Sequence, residues 1–270
     1  MRRLLCLLLV AAALGGCAAQ EAAGPEASVE ETENVDEGDF VLQMEPAPGS
    51  LARVEEQLRN WPVQQVIDDL NDWLALPNDV SVVLASTESP DDFYFDPEED
   101  EIVVSYEAVD RDRQLFEEIG YEGQDAWNSA LTSFEFFMYH EVGHALVDNL
   151  ELPITGKEED AVDGFAALVV VELLEEGQDL LLTAAEFSEG LASQSDEVTE
   201  EQFADEHSLD EQRLYQFLCW VYGSDTEKYS WIVDDEHLPA ARAERCEAEY
   251  QQNVASWVTL LDVYFKPANQ

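Results

Sequence analysis

The sequence predicts an α+β fold that is mostly helical, with a small antiparallel or mixed sheet near its N-terminal end. The β-prone runs are short and fall between residues 80 and 106, and the pattern is helical after Asp110. With 270 residues, of which 46% are hydrophobic, the chain is long and apolar enough to bury a core. A group of short strands followed by a run of helices is typical of this class.

The elements follow in a clear order along the chain. Residues 54–76 have helical periodicity and stop near Pro77, and Val80 to Ala85 is a predicted strand. Two further β-prone runs, 93–95 and 102–106, flank a turn-forming acidic stretch, which predicts a hairpin. An exposed edge of such a hairpin can hold an extended peptide by main-chain pairing, although ordinary sheet structure is the simpler interpretation.

The charge of the chain excludes one class of partner. Twelve Lys and Arg residues stand against 61 Asp and Glu residues, for a formal net charge of −49. Binding of nucleic acid requires clustered cations for the phosphates, so we expect no nucleic-acid partner. The acidity is typical of a solvated surface, suited to concentrated salt or to repulsion from acidic envelope polymers.

Residues 1–16 are predicted to be a lipoprotein signal peptide. Two arginines precede an apolar run, 4–14, that is about half the ~20 residues of a membrane-spanning helix. The ending Leu14-Gly15-Gly16-Cys17 resembles a bacterial lipoprotein processing site, which implies cleavage before Cys17 and lipid on its sulfur. We therefore expect a protein anchored to a membrane of the bacterial cell envelope, periplasmic at the outer membrane in a diderm. The alternative is an ordinary secretory signal with an incidental Cys17.

Residues 17–50 are predicted to be a flexible acidic stalk, because this Ala-, Glu-, Gly- and Pro-rich stretch cannot bury enough surface to offset its ordering entropy. The folded domain is then expected at residues 51–266. Within it, Cys219 and Cys246 are the two cysteines left for a disulfide in an oxidising compartment. A thiol-based active site is the alternative, but neither cysteine lies in a redox or nucleophile motif.

The most informative motif is His140-Glu141-Val142-Gly143-His144. Residues four apart share one face of a helix, so both imidazoles can reach one metal ion. Glu141 projects roughly 100° around the axis, where it can contact a metal-bound water. The surrounding helix is apolar on nearly all sides, so buried histidines there need partners, whereas an exposed or structural helix is the alternative. Gly143 costs about 1 kcal/mol against Ala and suggests close approach of another backbone.

A catalytic zinc site needs a third protein ligand and an open position. Residues 155–158 have capping-box spacing for a new helix, with Thr155 as N-cap. That would occupy Glu158 at the backbone, so we expect Glu159 as the third ligand and Asp163, one turn later, as the acceptor that orients a ligand histidine. An acidic helix N-terminus favoured by the macrodipole is the alternative, with Asp160 and Glu158 as substitute ligands.

The chain resembles zincin metallopeptidases with a glutamate third ligand, and more narrowly a family of bacterial metallopeptidases known only as a domain of unknown function. The resemblance covers roughly residues 54–261. The segments that carry it are Phe93-Tyr94-x-Asp96-Pro97, 102–107, 140–144, 158–163, 205–213, and 219–223 with Cys246. It implies a zincin-like fold and a zinc-dependent hydrolase.

The expected reaction is hydrolysis of peptide bonds in a peptide or protein substrate, with one catalytic Zn²⁺ and Glu141 as general base. For the donor that stabilises the tetrahedral oxyanion, His207 is the first candidate, followed by Arg213, Tyr215 and Tyr222. A structural role for His207, capping a helix near Ser208, is equally compatible with the sequence.

Two other functions fit the same motifs: an inactive zinc-stabilised scaffold or binding lipoprotein, and a zinc amidase acting on a non-protein amide. Glu141 favours an enzyme, because a structural metal site needs no base. The remaining histidine, His237, is expected at the surface.

Overall fold

The computed structural model describes residues 36–194 and 198–267, and these belong to one compact unit, Asn34–Gln270. The predicted signal peptide, Cys17 and the first part of the predicted stalk lie outside the described residues. Within the described ranges, no helix combines the length and the apolar character needed to cross a membrane.

A four-stranded mixed sheet forms the N-terminal part of the fold. Its strands are β1 Phe40–Met44, β2 Val80–Ala85, β3 Phe93–Asp96 and β4 Glu101–Ser105, and their order in the sheet is β1-β2-β4-β3. Strand β2 runs parallel to β1 and to β4, whereas β3 and β4 form an antiparallel hairpin. The strand at 80–85, the hairpin and the α+β class are therefore confirmed.

The prediction of a flexible stalk up to residue 50 is wrong for strand β1. Phe40 is 2% exposed and belongs to the core, and its backbone N–H donates to Oδ1 of Asn71 at 2.7 Å. Pairing with β2 satisfies the backbone groups of this short strand, and burial of Phe40 helps to offset its ordering entropy. The folded part of the chain therefore begins before residue 51.

Eleven α-helices and one short 3-10 helix, Gly49–Leu51, are present in the described residues, and one predicted helix is divided. The predicted helix at 54–76 forms α1, Ala52–Asn60, and α2, Val63–Trp73, separated at Pro62, because proline restricts the preceding residue to extended backbone, as Trp61 adopts here. The prediction is wrong for residues 74–76, where the backbone is extended at Leu74, and Leu74 and Leu76 form isolated β-bridges. The helices are α1 Ala52–Asn60, α2 Val63–Trp73, α3 Tyr106–Glu118, α4 Gln124–Asn149, α5 Glu158–Leu173, α6 Gly177–Ser193, α7 Glu200–Ala204, α8 Asp210–Ser224, α9 Trp231–Asp234, α10 Ala240–Ala243 and α11 Cys246–Leu261.

Helix α4 lies at the centre of the fold. It packs against α3, α5 and α6 and contacts both strands of the hairpin. Its apolar side chains are buried over most of its length, as predicted from an apolar pattern on nearly all sides. The motif at 140–144 is consequently held in the interior, between α5 and the hairpin.

Cys219 in α8 and Cys246 at the start of α11 form the predicted disulfide. The bridge spans 27 residues of sequence, so the chain-entropy model assigns it about 3.5 kcal/mol of stabilisation. We expect the double variant Cys219→Ala/Cys246→Ala to lose about that free energy of unfolding in urea titrations monitored by circular dichroism. Reduction of the unaltered protein should lower its midpoint similarly, and an unchanged midpoint in both cases would contradict the expectation.

Candidate metal centre

The motif histidines lie on one face of α4, and their ring centroids are 5.0 Å apart. His140 is 3% exposed, while His144 lies one turn later and closer to the surface. The first turn of α5 faces both rings, because the chain at residues 150–157 folds α5 back against α4. The two predicted ligand helices therefore meet at the motif.

Glu159 lies at the centre of this arrangement. Its Oε2 is 3.1 Å from Nε2 of His140, and its Oε1 is 3.3 Å from Nε2 of His144. Nε2 of His207, from the segment between α7 and α8, lies 3.0 Å from the same Oε2. The structure thus brings the three predicted ligands together and adds a third imidazole.

The second nitrogen of each ring faces another carboxylate. Nδ1 of His140 donates to Asp163 at 2.7 Å, Nδ1 of His144 to Glu158 at 2.8 Å, and Nδ1 of His207 to Asp205 at 3.0 Å. A carboxylate on Nδ1 fixes the ring orientation and makes Nε2 the metal-binding nitrogen. The expected contact of Asp163 with a motif histidine is present.

Two local expectations for these helices are wrong. The N-cap of α5 is Lys157 rather than Thr155, because the backbone is still extended at Lys157, and no capping box forms. The carboxylate of Glu158 instead contacts His144. Gly143 faces side chains of α5 rather than a backbone: a Cβ there would lie 2.8 Å from Cβ of Val162.

Arg213 is the partly buried partner of the buried Asp163. Its Nε and Nη2 donate to the two carboxylate oxygens at 2.8 Å and 2.6 Å. Burial alone would raise the pKa of Asp163, but the charges of Arg213 and His140 outweigh it and lower this pKa. The guanidinium of Arg213 is therefore bound to Asp163 and is not free to stabilise an oxyanion. Tyr215 and Tyr222, the other candidate donors, do not line the cavity beside the histidines. Sequence reasoning missed the ion pair, although a buried aspartate signals the need for a cation.

Burial and nearby charges set the pKa values of the site in opposite directions. Burial raises the pKa of Glu141, against the charges of His140 and His144. Burial disfavours the charge of Glu159, but hydrogen bonds from the histidines hold its pKa well below the usual range. Burial would lower the pKa of His144, yet Glu159 and Glu158 raise it to about 9. The cluster of carboxylates and imidazoles therefore favours bound positive charge, either as protons on the histidines or as a metal ion.

A cavity of about 470 Å³ opens beside the cluster. Glu141 lines it but is only 7% exposed, and its carboxylate faces the main chain of Phe95 in β3. The remaining wall residues are Phe93, Tyr94 and Pro97 of the hairpin and its turn, the acidic Asp148, Glu158 and Glu206, and one basic residue, Lys157. The hairpin strand β3 thus forms one wall of a cleft above Glu141.

The capping role considered for His207 is wrong. Helix α8 begins at Asp210 with Leu209 as N-cap, and the ring of His207 points to Glu159 instead. His237 is exposed and contacts only the ring of Trp231 among aromatic side chains of the described residues, as expected of a surface histidine.

The donor set fits a zinc ion. Imidazole nitrogens and a carboxylate are typical zinc ligands, and atoms of His140, Glu159 and His207 lie within 4.8 Å of one another. His144 reaches the other oxygen of Glu159 at 3.3 Å. The carboxylates on Nδ1 are the supporting contacts that zinc-bound histidines usually have.

Comparison with known sequences identifies one family. A family profile described as "Putative metallopeptidase" matches residues 46–261, which is most of the chain. No curated protein and no solved structure matches the chain.

Proposed function

Because the chain belongs to this metallopeptidase family, DUF4344, we propose that it is a zinc-dependent peptidase with Glu141 as its general base. The observation that carries the proposal is the position of Glu141. This buried carboxylate lines a cleft beside a converging set of two motif imidazoles and Glu159. A metal site that served stability alone would have no use for it.

His140, His144 and Glu159 would hold the ion, with Asp163 and Glu158 orienting the two rings. When bound, zinc would supply Lewis acidity to a substrate carbonyl and lower the pKa of a water molecule toward ~7. The carboxylate of Glu141 takes a proton from the attacking water and later delivers it to the leaving amine. Its pKa, raised by burial, supports this exchange, since a base is most effective near the working pH.

The cleft suits an extended peptide. Strand β3 lies at the edge of the sheet in the described residues, and Tyr94 is 43% exposed on it. A substrate strand can pair with such an edge, which would place its carbonyl over Glu141. The acidic wall residues Asp148, Glu158 and Glu206 favour basic or neutral side chains over acidic ones. Equal cleavage of matched acidic and basic peptides at low salt would contradict this preference.

We place the protein at the bacterial cell envelope, tethered by lipid on Cys17, on the basis of the sequence around that residue. Residues 1–16 would be removed as a signal peptide. Accumulation of the unlipidated protein in the culture medium would contradict this placement.

An inactive scaffold stabilised by zinc is the second candidate. His207 places a further imidazole 3.0 Å from Glu159, and closed sites with four protein ligands are typical of structural zinc. Both candidates bind zinc, so a measurement of peptide cleavage is needed to distinguish them.

The test is metal analysis of the purified full chain, combined with digestion of a mixed peptide library followed by mass spectrometry. We expect about one zinc per chain, and cleavage that stops after chelation and returns when zinc is added back. Bound zinc without cleavage would favour the scaffold. A chain that binds no metal would end both proposals.

A further inference from the structure

We infer that His207 is a fourth protein ligand of the metal, delivered by a segment that closes the coordination position a catalytic water would need. We call residues 205–209 the strap. The inference rests on the proposed metal site but does not depend on peptidase activity.

The surroundings of His207 match those of the two motif histidines. In all three rings Nδ1 donates to a carboxylate and Nε2 lies near an oxygen of Glu159, at 3.1 Å for His140, 3.3 Å for His144 and 3.0 Å for His207. Tetrahedral zinc with bonds of about 2.0–2.2 Å separates its ligand atoms by about 3.3–3.6 Å. Nε2 of His140 and Nε2 of His207 both face Oε2 of Glu159 at slightly shorter spacings, whereas Nε2 of His144 faces Oε1 at 3.3 Å, the lower end of that range.

The position does not match a donor that serves only the oxyanion. Such a donor lies about 2.7–3.1 Å from the oxygen of the substrate, which sits in the open position of the metal. Nε2 of His207 instead contacts Glu159 directly. It also falls in the group of candidate ligand atoms formed with His140 and Glu159.

The strap is fastened to the start of α5 by two side chains. Nζ of Lys157 donates to the carbonyl oxygens of Asp205 and His207 at 3.3 Å and 3.1 Å, and Ser208 donates to Asp160 at 2.6 Å. The carboxylate of Asp205 then receives both the backbone N–H and Nδ1 of His207. These polar contacts place the ring, because the side chain of His207 is 48% exposed and little packing holds it.

The strap can therefore leave without disturbing the core. It follows α7, a five-residue helix whose residues are exposed, and its anchors Lys157 and Asp160 are exposed as well. When the strap is docked, the metal would be enclosed by three imidazoles and a carboxylate. When His207 is displaced, water and substrate gain access beside Glu141.

The test measures metal binding by the full chain. Zinc affinity is determined by competition with a chromophoric chelator for the unaltered protein, His207→Ala and the control His237→Ala, which removes the exposed histidine. We expect His207→Ala to weaken zinc binding by at least the roughly 10–100-fold that loss of a partner supporting a ligand costs, and His237→Ala to leave it within about twofold. In the Co²⁺-loaded protein, only His207→Ala should change the visible absorption bands that report coordination. Unchanged affinity and an unchanged Co²⁺ spectrum in His207→Ala would overturn the inference.

A second variant tests the strap. Lys157→Met should weaken zinc binding less than His207→Ala and increase hydrogen exchange at residues 205–209, whereas Lys228→Met, at another exposed lysine, should change neither. Unchanged affinity and exchange in Lys157→Met would overturn the role of the strap. These readouts test the fourth ligand separately from the peptidase proposal. Zinc binding that depends on His207, without any peptide cleavage, would contradict the peptidase proposal and support His207 as the fourth ligand.

Discussion

Replacing Glu141 with Gln is expected to slow peptide hydrolysis by roughly 10²–10⁴-fold while zinc stays bound. Glutamine has nearly the same shape but cannot accept the proton of the attacking water. Glu141 is also absent from the contacts around Glu159, so the metal should be retained. The measurement is kcat/KM on a peptide from the library, together with the zinc content of both proteins.

Glu135→Gln provides a matched control for this substitution. Glu135 is another buried carboxylate of α4, 9% exposed, and it accepts a hydrogen bond from Trp61 at 2.9 Å, away from the cleft. Burial raises its pKa as it does for Glu141, so the same chemical change is made in a similar environment. Full activity in Glu141→Gln would show that the general base has been misassigned. Equal losses in both variants would point to a structural effect.

Replacing Arg213 with Met is expected to lower the free energy of unfolding by about 3–5 kcal/mol. The substitution leaves the carboxylate of Asp163 buried without its main cation, since Arg213 supplies two hydrogen bonds at 2.8 Å and 2.6 Å. The rings of Phe137 and Phe217, which lie near the guanidinium, would still pack against methionine. Urea titration of the metal-free protein measures the change.

Arg59→Met is the control for Arg213→Met. Its partner is Glu55, one turn earlier in α1, and the arginine side chain is 51% exposed, so we expect a loss of at most about 1 kcal/mol. A similarly small loss in Arg213→Met would mean that His140 alone can compensate the charge of Asp163. The assignment of Arg213 as a structural support of the metal centre would then be wrong.

The parts of the site that the sequence predicted are those in which spacing along a helix decides geometry. His140 and His144 share a face because they are four residues apart, and Glu159 and Asp163 share one for the same reason. The strands β2, β3 and β4 were likewise visible in short local patterns. Only the meeting of α4 with α5 required a tertiary assumption, and the short connection between them made it reasonable.

The features that the sequence did not predict depend on contacts between distant segments. Strand β1 pairs with a partner 40 residues later, and its acidic surroundings concealed the single buried Phe40. The ion pair of Arg213 and Asp163 joins residues 50 positions apart in the sequence. The hydrogen bond from Lys157 to the carbonyl oxygen of His207 joins residues equally far apart. From spacing alone, the carboxylate of Glu158 could accept a hydrogen bond either from the backbone at a helix N-terminus or from a histidine ring. In the structure it accepts from His144.

The close fit of α5 against Gly143 bears on how the protein acquires its ion. Val162 occupies the space that a larger residue at 143 would need, so the two ligand-bearing helices are held together by apolar packing directly beside the ligands. Zinc fingers, by contrast, are unfolded until their ion binds. In the present protein apolar packing contributes to holding α4 against α5, so we expect the fold to persist when the metal is removed and metal exchange to need no unfolding.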